Sequence, residues 1–441
     1  MKLQGTMTIN SQGHLCIGGC AADGLVEKFG TPLYVIDEEH VREICREYYR
    51  EFMADYPDNL VLYAGKAFLT KAMAKIIQQE GLGLDVVSGG ELYTAVEAGF
   101  PPENIYFHGN NKSLAELTAA LDYKIGRFVV DNFYELELLN SLCQERGIKA
   151  DIQLRITPGI EAHTHEYIKT GQIDSKFGNS IATGQASEIV KRALSLDHLN
   201  LKGIHCHIGS QIFEIDSFRH SAEVMMGFLK RIKDETGQEL RELNLGGGFG
   251  IYYYKGDAPA PINKFAEVIL ETVKQKAKEF QLKLPRVMIE PGRSIIGSAG
   301  TTLYTVGSIK QIIGIRTYVA IDGGMADNPR PALYQAEYEA AVANKMNEEA
   351  KEIVSITGKC CESGDMLIWD TKLPPLVSGD ILAISCTGAY TYSMSSNYNR
   401  LPRPAVVLVN KGQAELIVAR ETYADLVRND LIPARLKQIN Y

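Results

Sequence analysis

The chain has 441 residues and a net charge of −8, with 45% hydrophobic and 23% charged residues, an ordinary soluble composition in a length that predicts two domains. The acidic balance excludes nucleic acid or an anionic membrane surface as the main partner, because both recruit clustered Lys and Arg; a local basic pocket for a small anion stays open. The N-terminal "MKLQGTMTINSQGHL" has no apolar signal-peptide core, and no apolar run reaches the roughly 18–20 residues of a membrane span, so a cytoplasmic location is expected.

In chain order, residues 1–35 hold short strand-like pieces, "TMTINSQGHLCIGG" and "PLYVID". Cys16-x3-Cys20 lacks a second half, and the other cysteines (Cys45, Cys143, Cys206, Cys360, Cys361 and Cys386) are dispersed, so neither a zinc site nor a disulfide framework is expected. From 60 to 290 strand-length apolar runs alternate with helix-length amphipathic segments. The runs are "LVLYAGK" (60–66), "LGLDVVS" (82–88), "IYFHGN" (105–110), "RFVVDN" (127–132), "IQLRI" (152–156), "GIHCHIGS" (203–210), "LNLGGG" (243–248) and "VMIEPGR" (287–293). Between them lie patterns such as "TKAMAKIIQQ" (70–79), "SLAELTAALDY" (113–123), "NFYELELLNSLCQERG" (132–147) and "PINKFAEVILETVKQKAKEF" (261–280); in the last, Phe265, Val268, Ile269, Thr272 and Val273 recur at helical spacing. Such alternation predicts a parallel sheet, and eight strands in about 230 residues predict an α/β fold closed as a TIM-like (β/α)8 barrel. An open doubly wound sheet is the alternative, without its G-x-G-x-x-G signature. After residue 294 "TTLYTVGSIKQI", "TYVAIDGG", "EIVSITGKC", "DILAISCTGAY" and "PAVVLVNKGQAELIVARE" are β-rich and turn-separated. The expected division is a barrel over 36–293 and an all-β domain from 1–35 with 294–441.

The apolar runs end in polar residues: Lys66, Asp85, Asn110, Arg155, His207 with Ser210, Gly246–Gly248, and Glu290 with Arg293. In a barrel these ends meet at one mouth. Gly246-Gly247-Gly248-Phe249-Gly250 after the seventh strand is a tight turn or a phosphate loop whose N–H groups approach an anion, and its place in the barrel favours the second. Lys66 is a surface charge or a desolvated Schiff-base amine. A phosphate site with an inward lysine points to pyridoxal phosphate (PLP). Glu290 of Glu290-Pro291-Gly292-Arg293 is either a structural ion-pair partner or the carboxylate that keeps a pyridine nitrogen protonated. His207 is structural or stacks on the ring. "GKCCESGD" (358–365) reads locally as a turn, a redox pair, a nucleophile or half a metal site.

Taken together, "YAGKA", "DVVSGGEL", "FHGNNKS", "LRITPG", "KFG", "HCHIGSQI", "LNLGGGFG", "IEPGRS", "DGGM", "RPALY", "GKCCESGD" and "GAYTYSMSSNYN" resemble the diaminopimelate decarboxylase family. These are PLP enzymes on an alanine-racemase-like barrel, in the group that also holds ornithine and arginine decarboxylases. The resemblance spans the chain from "PLYVID" to "RPAVV". It implies PLP-dependent decarboxylation of meso-2,6-diaminopimelate to L-lysine and CO2, the last step of bacterial lysine biosynthesis.

By that resemblance Lys66 is the Schiff-base lysine, and Asp85 and Glu91 are acids near it and the ring. His207 stacks on the pyridine, Ser210 and Gly246, Gly247 and Gly248 hold the phosphate, and Glu290 partners the ring nitrogen within the Glu290–Arg293 segment that includes Pro291 and Gly292. Arg293, Arg330 and Tyr334 hold the distal carboxylate of the substrate, with Arg293 also near the cofactor, and Tyr390 touches both phosphate and substrate. Cys361 and Glu362 cross into the partner's barrel in a homodimer with shared sites, the cysteine returning a proton after CO2 leaves and the glutamate reading the distal ammonium. A substrate with a second amino-acid head needs a carboxylate and a guanidinium to recognise it, which Glu362, Arg330 and Arg293 supply. Ala326 and Pro329 depart from the expected pattern, with Pro329 fixing φ before Arg330, and Cys360 has no assigned role. The alternatives are a decarboxylase of D-ornithine, D-lysine or a carboxylated polyamine, or an amino-acid racemase; Glu290 argues against the racemase, in which an arginine faces the pyridine nitrogen.

Overall fold

The strand–helix rhythm becomes eight parallel strands: β1 (Leu60–Ala64), β2 (Gly83–Val86), β3 (Ile105–Phe107), β4 (Arg127–Val130), β5 (Ala150–Thr157), β6 (Leu199–His205), β7 (Glu242–Asn244) and β8 (Arg286–Ile289), hydrogen-bonded in chain order. Met288 and Ile289 of β8 pair with Leu60 and Val61 of β1, which closes the ring and excludes the open sheet. A two-residue strand, Asn179–Ser180, runs outside the ring beside β5. These are features of a computed structural model that describes residues 1–159 and 174–437. Among the described residues no helix is long and apolar enough to cross a membrane.

The helices are α1 (Glu38–Phe52), α2 (Lys71–Gln79), α3 (Gly89–Glu97), α4 (Leu114–Tyr123), α5 (Phe133–Arg146), α6 (Gln185–Leu194), α7 (Ile215–Thr236) and α8 (Ile262–Glu279). Local chemistry starts four of them: the side chains of Thr70, Ser88, Ser113 and Asn132 accept the N–H groups of Met73, Glu91, Glu116 and Glu135, satisfying donors that the first helical turn leaves open. On α8, Phe265, Ile269, Thr272 and Val273 are buried, as the helical spacing predicts.

Because side chains alternate along a strand, every second residue enters the barrel. One part of this interior is apolar: Leu60, Leu62, Tyr106, Val129 and Met288 form one buried cluster. Another part is polar. Arg127 of β4 makes a two-pronged contact with Glu242 of β7, with Nη2–Oε1 2.6 Å and Nε–Oε2 3.0 Å. Gln153 of β5 donates to Glu242 Oε2 at 2.9 Å.

The chain divides into two compact units. The barrel unit comprises Glu39–Ala299 together with Gly388–Ser393, so a short segment from late in the chain belongs with the barrel. The other unit comprises Met1–Glu38, Gly300–Thr387 and Met394–Tyr441. In it the long strand Gly300–Ile312 pairs with Arg316–Ile321, Ile381–Ser385 and Leu33–Asp37, and Leu33–Asp37 also pairs with Ala405–Asn410. The N-terminal piece "PLYVID" is thus built into the C-terminal sheet, over a core of residues including Leu15, Ile17, Leu33, Val35, Leu303, Ala383 and Val407.

Candidate active site

All eight strands are parallel, so their C-terminal ends share one rim, and the loops that follow carry the polar residues. Lys66 lies in a single 3-10 turn, Gly65–Ala67, immediately after β1. A Cβ on Gly65 would meet Asp85 O at 2.9 Å, so glycine lets this turn sit against β2. Lys66 is exposed to solvent, with charged and polar groups of the rim acting on it. Burial works to lower its pKa, but Tyr390, Asp85 and Glu290 outweigh burial and nearby Arg155, so the ammonium is held above its ordinary value. Glu91, in the first turn of α3, accepts the Val87 N–H at 2.8 Å, and burial pushes its pKa up to about 7.

Glu290, just after β8, is buried among donors. Asn244 Nδ2 donates to its Oε1 at 2.6 Å, His108 Nε2 lies 3.0 Å from that oxygen, and His205 Nε2 lies 3.1 Å from Oε2. Burial alone would raise the Glu290 pKa; His108 and His205 reverse this and hold it well below the carboxylate range. Burial also lowers the His205 pKa to about 4, so that imidazole is neutral at neutral pH. On the other side of His108 is Asp85, whose Oδ1 lies 3.8 Å from Nε2; burial raises its pKa. His108, His205 and Glu290 are also the one grouping of at least three such side chains among the described residues with ligand atoms close enough, within 4.8 Å, for a metal ion. Within the grouping His205 is hydrogen-bonded to the carboxylate, and His108 Nε2 is not.

His207 is half-buried, and its Nδ1 accepts the Gly247 N–H at 3.3 Å, leaving Nε2 to carry the proton of the neutral ring. Burial, then Lys66 and Arg155, hold its pKa well below the ordinary value. The glycine run is packed as well as turned. A Cβ on Gly247 would lie 2.1 Å from Glu290 O, and Gly246 and Gly248 have φ of +68° and +110°. The Gly246 N–H is engaged by Asn244 Oδ1 at 3.0 Å, so two of the three N–H groups expected to face an anion contact protein acceptors instead. Phe249 anchors the loop, stacked on Phe218 of α7 at 4.9 Å and edge-on to Phe265 of α8 at 5.3 Å.

Beside this loop Arg293 is buried, donating to Ser210 Oγ at 2.9 Å and Tyr253 OH at 2.7 Å, with its guanidinium 4.8 Å from the Tyr390 ring centroid. Tyr390 comes from the late segment Gly388–Ser393, where the Tyr390 N–H and Ser393 Oγ both donate to Ala67 O, at 2.9 and 3.0 Å. Pro291 and Gly292 complete the turn after Glu290; a Cβ on Gly292 would sit 2.9 Å from the Ala64 Cβ.

In the other unit, Arg330 is buried at the start of the short helix Arg330–Tyr334, which holds Tyr334 half-buried, and Arg330 Nη1 bonds Tyr338 OH. Pro329 has φ −77° and ψ −10°, a comfortable entry to that helix, and Ala326 is buried with its carbonyl accepting the Ser396 N–H. Cys361 and Glu362 are exposed. Asp365 organises their turn: its carboxylate accepts the N–H groups of Met325 at 2.6 Å and Cys360 at 2.8 Å, tying the "DGGM" loop to the cysteine turn. Cys360 is buried, and burial followed by Asp365 pushes its thiol up to about 12.

The donor set fits PLP. Among the buried polar atoms without a hydrogen-bond partner in the protein are Arg293 Nε, Asp85 Oδ1, His108 Nε2 and His205 Nδ1. Arg293 Nε suits an anionic phosphate, and Asp85 and Glu290 both act on the Lys66 ammonium. Sequence reasoning had not assigned roles to His108, His205, Asn244 or Arg155. The signal for His205 was present in "HCH", since residues two apart on a strand share a face. Arg155 was visible as a strand-end charge, and it stacks on Phe177 at 4.3 Å, 3.9 Å from Asp131.

Residues 39–297 match the family model for the pyridoxal-dependent decarboxylase, pyridoxal binding domain; the chain belongs to the pyridoxal-dependent decarboxylases. It is 55% identical to the diaminopimelate decarboxylase of Bacillus subtilis (strain 168), over 98% of each chain. A crystal structure of diaminopimelate decarboxylase from M. jannaschii in complex with L-lysine superposes with a TM-score of 0.92 at 38% identity, covering 99% of this chain and 100% of that one. That from Helicobacter pylori, also with L-lysine, gives 0.84 at 31% identity over 92% and 98%. Within the larger family, the chain falls among the diaminopimelate decarboxylases.

Proposed function

We propose that this chain decarboxylates meso-2,6-diaminopimelate to L-lysine and CO2, the final step of lysine biosynthesis, in the cytoplasm and as a homodimer. The observation that carries the reading is Lys66, in the turn after the first strand of a closed barrel and held charged by Tyr390, Asp85 and Glu290, in a chain 55% identical to a diaminopimelate decarboxylase. Pyridoxal phosphate, when bound, supplies the electron sink for the bond pair left as CO2 departs. The protein does the rest. Lys66 is the amine that anchors the cofactor, and Asp85 and Glu91 are acids beside it. Ser210, Gly248, Arg293 and Tyr390 hold the phosphate, and Gly246 and Gly247, whose N–H groups are engaged by Asn244 and His207, shape the loop that receives it. Glu290 faces the ring nitrogen, and the neutral imidazole of His207 offers a flat face without a second positive charge. Arg293, Arg330 and Tyr334 take the distal carboxylate of the substrate, and Glu362 its ammonium, through charge-assisted bonds. The exposed Cys361 thiol, contributed to a neighbouring subunit's site, returns the proton at Cα.

Purified protein supplied with PLP is expected to release CO2 and L-lysine from meso-diaminopimelate in preference to D-ornithine, D-lysine or a carboxylated polyamine. No turnover of meso-diaminopimelate overturns the reading, as does racemised substrate without CO2. Lys66→Ala should abolish the absorption band at roughly 420 nm that marks the attached cofactor. Mixing Lys66→Ala with Cys361→Ala subunits should restore part of the activity; no recovery means that each site is self-contained.

A further inference from the structure

The barrel interior contains a directed polar chain that ends on Glu290. The order of its donors and acceptors is forced from one end. Arg127 only donates, so both oxygens of Glu242 accept, from Nη2 at 2.6 Å and Nε at 3.0 Å. Glu242 Oε2 also accepts from Gln153 at 2.9 Å, which requires the NH2 of that amide and turns its oxygen the other way. Gln153 Oε1 faces Asn244 Nδ2 at 3.5 Å. Asn244 is fixed independently at its other atom, where Oδ1 accepts the Gly246 N–H at 3.0 Å. Its NH2 therefore presents a hydrogen to Glu290 Oε1 at 2.6 Å.

His205 meets the other oxygen. Its Nδ1 is buried without a partner, and its Nε2 is 3.1 Å from Glu290 Oε2. A neutral imidazole has one N–H, and a carboxylate can only accept, so that hydrogen is on Nε2. Asn244 and His205 thus bring one donor to each oxygen, while His108 Nε2 lies 3.0 Å from Oε1 without making a hydrogen bond. Asp85, Arg155, Lys66, His207, Tyr106 and the Cys206 thiol are further titratable or charged groups acting on this cluster. Three of the links (Gln153, Asn244 and Gly246) carry no charge, so this arrangement orients the carboxylate without adding a competing acid.

We infer that Asn244 and His205 are positioning residues that keep Glu290 ionised, so that the shared proton resides on the cofactor's ring nitrogen and not on the carboxylate. The inference rests on the reading that Glu290 faces that nitrogen. Removing one donor to a carboxylate raises its proton affinity, and a charge-assisted hydrogen bond corresponds to about a ten- to hundredfold change in how the proton is divided.

The experiment uses the holoenzyme loaded with PLP labelled with 15N in the ring, and reads the 15N resonance across pH. In the unmodified protein it should sit at the protonated position. In Asn244→Leu and in His205→Leu it should move toward the unprotonated position, whereas His205→Gln, which keeps one N–H donor, should restore it. A purely structural role would lower yield or stability in both His205 variants without moving the resonance selectively. Should the leucine variants fail to accumulate, the near-isosteric Asn244→Asp reads the same quantity, because it replaces the donor with a second acid beside Glu290 Oε1. Glu290→Gln separates the premise from the inference. If it leaves the nitrogen protonated, Glu290 is not the ring partner and both fall. If it deprotonates the nitrogen while the Asn244 and His205 variants leave the resonance in place, the positioning role alone is refuted.

Discussion

Lys112 offers the sharpest energetic test of how the barrel rim is held. It is buried in the loop after β3, and its ammonium donates to Gly109 O at 3.0 Å, Val129 O at 2.9 Å and Glu135 Oε1 at 2.7 Å. Glu135 Oε2 in turn accepts the Asp131 N–H at 3.0 Å. Every hydrogen of the ammonium is thus used, and the loop that begins with His108 is tied to the start of α5. Lys112→Met keeps the unbranched stem out to Cε but leaves a buried carboxylate unpaired and removes the shared donor from two carbonyls. Breaking a buried pair in this way costs about 3–5 kcal/mol, which for a unit of this size lowers Tm by roughly 6–20 °C. The sign with pH follows from the surviving acid. Burial already raises the Glu135 pKa and Lys112 opposes it; without the lysine the folded state binds a proton that the unfolded chain has released. The loss should therefore grow as pH rises above about 4.3, the ordinary glutamate value, and be smaller at pH 5 than at pH 8. Calorimetry of the two proteins and of Lys112→Met/Glu135→Leu checks this, since the double variant removes the stranded charge and should regain much of the stability. A loss below about 1 kcal/mol, or one that is the same at both pH values, refutes the account.

The remaining predictions concern the rim and the cysteine turn. Gly247→Ala puts a Cβ 2.1 Å from Glu290 O and should yield insoluble protein or protein without cofactor absorbance, whereas Gly227→Ala, in α7 with nothing within 4 Å, should raise stability by about 0.5–1 kcal/mol in urea unfolding. Glu91 has a folded pKa near 7, above its unfolded value, so in cofactor-free protein it favours the fold at low pH and that contribution fades as pH rises from about 4.3 to 7. Glu91→Gln should flatten the pH–stability curve over that window, gaining about 3–4 kcal/mol on the parent by pH 8; an unchanged slope rules this out. Iodoacetamide should alkylate the exposed Cys361 far faster than buried Cys360, as peptide mapping would show, and equal rates would contradict the described turn.

The barrel was legible because its signals are local and repeated. A run such as "LVLYA", a capping residue such as Ser88 or Asn132 and an amphipathic helix recur in order, and closure follows from the count of strands. The site was legible where a polar residue ends an apolar run, as with Lys66 and Glu290. It was not legible inside the strands. Gln153 and Asn244 stand at inward positions among apolar neighbours, and only pairing in space shows that the amide of one faces the amide of the other. Nor could composition reveal that Gly388–Ser393 belongs with the barrel. That membership depends on contacts such as Tyr390 N–H to Ala67 O at 2.9 Å, made across most of the chain.

This late segment affects how the protein is made. The barrel strands leave the ribosome well before Tyr390, and residues 300–387 must be synthesised between them. At about 5–20 residues per second, the rim carrying Lys66 waits several seconds for its last wall. During that interval Ala67 O lacks the two donors that Tyr390 and Ser393 later bring. A chain released early, or a barrel expressed without its continuation, carries every barrel strand and still has an unfinished rim, so quality control of the nascent enzyme falls to its last quarter.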